Sequence, residues 1–287
     1  MGIALGLGAA LSWGLADYFA ALASRSYGEL RVVLGFHLAA MIPLTVLVLA
    51  TDGLSHLRIG QLPVFVLIGA VGWLSYLTFY GALAIGPISV LSPIISGYAA
   101  VTVLFAVAIL GEHLSPGQIA AVIVIIVGAM VASADVRLAV REKLQRRSML
   151  GFALALCAMT LLGAFVFGVS YYGSRIGWLG PIFLARGFAA LFLLAHRAVA
   201  GEPSREGRPA RLVWLVAVLA ALDTGGYVFF NLGVRHAATA VVAAASAPYA
   251  VVPILMGVSL FHERPTAIQW SGVLLVIAGV IVLALAT

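Results

Sequence analysis

Charge is what this chain has least of. Only 9% of its 287 residues are Asp, Glu, Lys or Arg, against roughly a quarter in soluble domains, and 63% are hydrophobic. So few charges cannot cover a chain of this length with a water-facing surface. A soluble globular fold is excluded, and lipid is left as the main solvent. Cysteine is nearly absent. Cys157 is alone and lies in an apolar run, which excludes an intramolecular disulfide and a Cys-rich metal site and leaves a small packing residue. No Lys or Arg precedes the first apolar run, Gly2 to Ala23, so the basic start of a secretory signal is missing and the run reads as a retained helix.

Catalytic signatures are missing too. There is no GxxxxGK[ST] phosphate loop, no HExxH and no GxSxG. His37, His56, His113, His196, His236 and His262 are scattered, and only His37 is deep in an apolar run. Asp17 and Asp223 are the one pair that could form an aspartyl dyad, and no supporting motif surrounds either. The expectation is a protein that is not an enzyme, with no cofactor and no metal. The net charge of +6 would point to nucleic acid in a soluble protein. Here the basic residues sit in short segments between apolar runs, as Arg does beside lipid headgroups, and no soluble domain is left to hold a nucleic acid.

The apolar runs give ten candidate spans at the length a bilayer needs. They cover 3–23, 31–50, 62–84, 88–110, 117–134, 149–173, 178–197, 212–234, 238–260 and 267–286. A shift of 151 residues lays 64–133 on 215–284 without a gap: Tyr76 meets Tyr227, Phe79 meets Phe230, Tyr98 meets Tyr249, Glu112 meets Glu263, Gln118 meets Gln269 and Gly128 meets Gly279. Agreement at aromatic and acidic positions is more than shared hydrophobicity. The expected fold is an all-α integral membrane protein of ten transmembrane helices. Residues 1–135 form one five-helix repeat, 136–148 a basic connecting loop, and 149–287 the second repeat. An odd number of spans per repeat turns the second upside down, an arrangement common among secondary transporters. Loops counted from the first alternate in charge: the odd ones hold twelve Lys and Arg, the even ones only Arg58, Arg175 and Arg235. The positive-inside rule then puts the odd loops in the cytoplasm and both termini outside.

With these features the sequence resembles the drug/metabolite transporter superfamily in its ten-helix EamA-type branch. The resemblance rests on Trp13–Gly14 in the first helix, on Arg186 in the second helix of the second repeat, and on the Glu-containing turns Gly111 to Pro116 and His262 to Ala267. The first repeat has no Arg matching Arg186; His37 is the nearest candidate. The resemblance implies gradient-driven export or exchange of a small metabolite, an amino acid or related compound, at a cell's inner (plasma) membrane. It also implies cytoplasmic termini, against the charge count.

Charged groups inside a bilayer are costly and are paired or used. Asp17, Arg186, Asp223 and His37 are the ones here. Asp17 follows Trp13 by one helical turn and shares its face. Asp223, Tyr227 and Asn231 form a stripe matched by Gly72, Tyr76 and Tyr80, and such stripes belong inside the bundle. Tyr171, Ser96, Tyr98, Tyr249 and, further along, Trp73 complete the candidate lining of a substrate cavity between the repeats. Arg186 either holds a substrate carboxylate or is the fixed partner of one Asp. Asp17 and Asp223 are candidate proton carriers, which would make protons a coupling ion beside the small-molecule substrate. An uncoupled facilitator with structural Asp residues is the alternative. Glu112 and Glu263 are expected to cap the helix that follows each of them, and Pro93, Pro248 and Pro253 to break the fourth and ninth helices.

Overall fold

The computed structural model describes residues 1–51, 53–85, 91, 94–95, 97–132, 146–200, 209–252 and 266–286. Among these residues the chain forms ten α-helices and no strand. In order they are α1 (Gly2–Tyr27), α2 (Glu29–Thr51), α3 (Leu62–Ile85), α4 (Tyr98–Leu110), α5 (Pro116–Ala132), α6 (Arg146–Ile176), α7 (Leu179–Ala200), α8 (Pro209–Gly233), α9 (Thr239–Ser246) and α10 (Ala267–Leu285). Among the described residues, six segments are long and apolar enough to cross a membrane: Gly2–Ser24, Glu29–Thr51, Ile59–Ile85, Leu150–Ile176, Leu179–Ala200 and Ala210–Gly233. The apolar stretches Tyr98–Leu110, Pro116–Gly128 and Trp270–Leu283 are shorter.

The burial pattern is that of a multi-pass membrane protein. Large apolar side chains such as Leu11, Leu49, Leu67, Leu104, Leu191 and Leu274 face outward, while Asp17, His37, Arg186, Asp223 and Asn231 are buried. In water such an exposed apolar surface would be a severe aggregation liability; in lipid it is the solvated face. Cys157 is exposed on α6 rather than packed inside.

The run 88–110 is helical at Leu91, Ile94 and Ile95 and from Tyr98 as α4, and Ser89, Ser92, Pro93 and Ser96 lie outside the described residues. One expected span comes out differently. In the run 238–260, α9 gives way after Ser246 to a 3-10 turn, Ala247–Ala250, with Pro248 in its first positions. Proline has no N–H to give and its ring crowds the preceding turn, so the α pattern stops there. Pro253 and Glu263 lie outside the described residues, and α6 opens at Arg146, inside the segment read as connector.

The two halves pack as if interchangeable. α3 lies on α6 as α8 lies on α1, α4 on α6 as α9 on α1, and α7 on α3 as α2 on α8; α2–α7, α4–α9 and α5–α10 pair between the halves. Single residues follow the same exchange. A Cβ on Gly128 would meet Leu275 and Val276, and one on Gly279 would meet Val124 and Ile125, the same positions 151 residues apart. The first helix of each half keeps a different shift. Gly14 packs on Tyr249 and Val252 while Gly163 packs on Tyr98 and Val101, and the turns after α1 and α6 use Gly28 and Gly177 at φ 88° and 97°. A shift of 149 residues relates both of these pairs, so the repeat extends through the first helix of each half with two residues' difference in between.

Glu112 corrects one expectation. Its carboxylate accepts from the backbone N–H groups of Thr239 (2.8 Å) and Ala240 (2.9 Å), so it caps α9 of the opposite half. The helix that follows it, α5, is capped instead by Ser115 and Gln118, each side chain bonded to the other's backbone N–H. Glu112→Ala strips two charge-assisted bonds from the α9 N-terminus and is expected to cost about 1–3 kcal/mol. Glu112→Gln, which keeps one acceptor, should lose less. Thermal unfolding in detergent checks the order; equal midpoints for all three proteins would refute the clasp.

Candidate functional site

A small cavity lies between the halves. The exchange of halves explains its walls. Tyr76 of α3 and Tyr227 of α8 line it together, their hydroxyls 3.3 Å apart. Tyr98 of α4 and Tyr249 after α9 do the same, with ring centroids 5.6 Å apart. Trp13 and Asp17 of α1 are matched at the 149-residue shift by Leu162 and Val166 of α6, and all four line the cavity. Phe79 and Asp223 complete it. Both acids therefore break the repeat: Asp17 has Val166 as its counterpart, and Asp223 has Gly72.

Arg186 and Asp223 form a direct ion pair, the guanidinium fully buried and the carboxylate side chain 10% exposed. Tyr76 donates its hydroxyl to the same carboxylate at 3.2 and 3.3 Å. The Trp13 indole N–H donates to the Asp223 main-chain carbonyl at 3.2 Å, tying α1 to α8. Of the two roles open to Arg186, the structure shows the pairing with an Asp. Its Nε and Nη1 have no hydrogen-bond partner among the described residues, and the guanidinium carbon stands 5.0 Å from the Tyr227 ring centre.

His37 is the mirror of this arginine. Counted from the matched glycines Gly28 and Gly177, it falls where Arg186 falls in the other half. Its ring centre lies 4.8 Å from that of Tyr76, as Arg186 lies by Tyr227. Its Nδ1 is 2.9 Å from the Val33 carbonyl, to which it donates, and Nε2 has no hydrogen-bond partner among the described residues. Both basic side chains stand behind the tyrosine pair rather than in the cavity wall.

The EamA-like transporter family matches residues 1–134 and 140–285, nearly the whole chain in two copies. The chain belongs to the EamA-like transporter family. One solved crystal structure shares the fold over 99% of this chain and 96% of its own, with a TM-score of 0.75 at 17% identity. No curated protein matches the sequence. As an EamA-like protein the chain is a membrane transporter of the drug/metabolite superfamily, with the bilayer and a small molecule as its partners.

The other sequence candidates of this EamA-like transporter are dispersed. Tyr80 is buried and stacked on Phe36, centroids 5.5 Å apart. The Asn231 amide donates to the Tyr227 carbonyl at 2.9 Å. Tyr171 lies under the Arg175 guanidinium at 3.7 Å, and Trp73 stacks on Phe192 at 5.7 Å; neither lines the cavity. Ser96 lies outside the described residues. Phe79, Leu162 and Val166 line the cavity and were not singled out as site residues. Phe79 was visible in the repeat as the match of Phe230; Leu162 and Val166 carried no signal of their own, being apolar residues in an apolar helix.

Proposed function

We propose that this EamA-like protein is a secondary transporter of a small metabolite, an amino acid or related compound, in a cell's inner membrane. Its ten helices act as ten spans in two inverted halves, and the central cavity opens alternately to the two faces, in the direction of export. The observation that carries this reading is the cavity itself. It lies where the halves meet, both halves line it at exchangeable positions, and it gathers two of the chain's scarce acids. That is where rocking of one half against the other would gate a bound solute.

The ion pair divides the roles of the two acids. Asp223 is held by Arg186 and Tyr76 and anchors α8 to α7 and α3. Asp17, which lines the cavity from α1, is the candidate for carrying a proton. In sealed vesicles, flux through the wild type should rise with an imposed pH gradient, and Asp17→Asn should abolish that response. Flux indifferent to the gradient in both proteins would instead mark an uncoupled facilitator.

A further inference from the structure

We propose that the cavity takes a positively charged organic group, an ammonium-bearing molecule, held by aromatic walls and by the Asp17 carboxylate. This rests on the transporter reading and narrows its amino acid or related compound to an amine without a free carboxylate. Six of the ten described residues lining the cavity are aromatic: Trp13, Tyr76, Phe79, Tyr98, Tyr227 and Tyr249. Two more are acids, and none is Lys, Arg or His. The rings stand at steep angles, Trp13 to Tyr98 at 85° and Trp13 to Tyr227 at 70°, so they form walls rather than a stack. An aromatic box with a carboxylate nearby, shielded from water, favours a cation through the ring quadrupoles and through charge.

Hydrogen-bond accounting argues against an anion. A carboxylate or phosphate needs free donors, and three of the donors in these walls are engaged within the protein. The Trp13 N–H goes to the Asp223 carbonyl and the Tyr76 hydroxyl to the Asp223 carboxylate. The Tyr98 hydroxyl is 2.8 Å from Ser246 Oγ, which itself donates to the Ala243 carbonyl. The cation nearest the cavity, Arg186, is fully buried behind the wall and committed to Asp223. With Asp223 and Arg186 neutralising each other, the Asp17 carboxylate is the charge in the wall that an incoming anion would meet, and it is repulsive.

The test is equilibrium binding to the full chain in lipid nanodiscs, beside flux in sealed vesicles. The probes are choline, tetramethylammonium and butylammonium, each with its neutral carbon isostere, and butanoate as the anion. At least one ammonium probe should bind saturably and about tenfold or more tighter than its isostere. Asp17→Asn should weaken that binding about tenfold or more, Asp17→Glu should retain it, and butanoate should not compete. The inference is overturned if no ammonium probe outbinds its isostere, if butanoate displaces the bound cation, or if Asp17→Asn binds as wild type does. Should Asp17→Asn fail to fold, the isostere comparison on wild type and the Asp17→Glu variant decide. The flux arm separates the two readings. Ammonium that binds but does not cross leaves the cation site standing and removes the transporter; neutral or anionic solutes that cross without ammonium binding do the reverse.

Discussion

Arg186→Ala is expected to be the most damaging single substitution in the central site. It leaves the Asp223 carboxylate buried, with Tyr76 as its remaining side-chain partner, and loss of one member of a buried pair typically costs about 3–5 kcal/mol. That is a large share of a membrane protein's margin, and little folded protein should be recovered. The double variant Arg186→Met, Asp223→Leu removes both charges and keeps the volume roughly filled. Such replacements are often neutral or stabilising, so it should unfold near the wild-type temperature. Thermal unfolding in detergent reads the stability, and vesicle flux reads the function. We expect the double variant to be folded and inactive, because Asp223 also lines the cavity and orders Tyr76. An Arg186→Ala protein as stable as wild type would show that the pair does not hold α7 to α8. A fully active double variant would reduce the pair to a packing device.

The second large effect is expected at the closest approach of α5 and α10. A Cβ on Gly128 would lie 2.8 Å from the Val276 backbone nitrogen and 2.9 Å from Leu275 Cβ. Backbone cannot yield as a side chain does, so the helices must separate. In lipid, close van der Waals packing over small residues is a main force between helices. Gly128→Ala should cost about 1–3 kcal/mol by overpacking, and Gly128→Leu more, to the point of losing the α5–α10 pair. Gly279 offers a graded control. Its closest clash is with the Ile125 side chain, and the nearest backbone atom is 3.1 Å away. Gly279→Ala should therefore be the milder change, and unfolding midpoints that rank the two glycines the other way would refute this account of the contact.

The halves and the tyrosine pairs were legible in the sequence because aromatic residues recur at one fixed shift. Tyr76 and Tyr227 do meet, and so do Tyr98 and Tyr249. What escaped has physical causes. The helices are apolar nearly all round, so a stripe marks the inner face without separating rings that line the cavity from rings packed elsewhere: Tyr76 and Tyr80 share one stripe and only Tyr76 lines the cavity, while Trp73 packs on Phe192. The first helix of each half follows a shift of 149 rather than 151, which hid Leu162 and Val166 as partners of Trp13 and Asp17. The Glu112 clasp joins residues 127 and 128 positions apart, and a local capping rule looks only at the next helix. The identity of Arg186's partner needed geometry, because the sequence offered two acids and the chain chose Asp223.

The mismatch of Asp17 with Val166, and of Asp223 with Gly72, reaches into the proposed cycle. Two perfectly equivalent halves could trade conformations at no energetic cost, and the inward-open and outward-open forms would then be equally populated at rest. Here the trade would set a carboxylate where an alkyl group or bare backbone had been, so the two resting forms differ in free energy. Such a bias makes apparent affinity unequal on the two sides of the membrane. It does not choose the direction of net flow, which remains with the gradient.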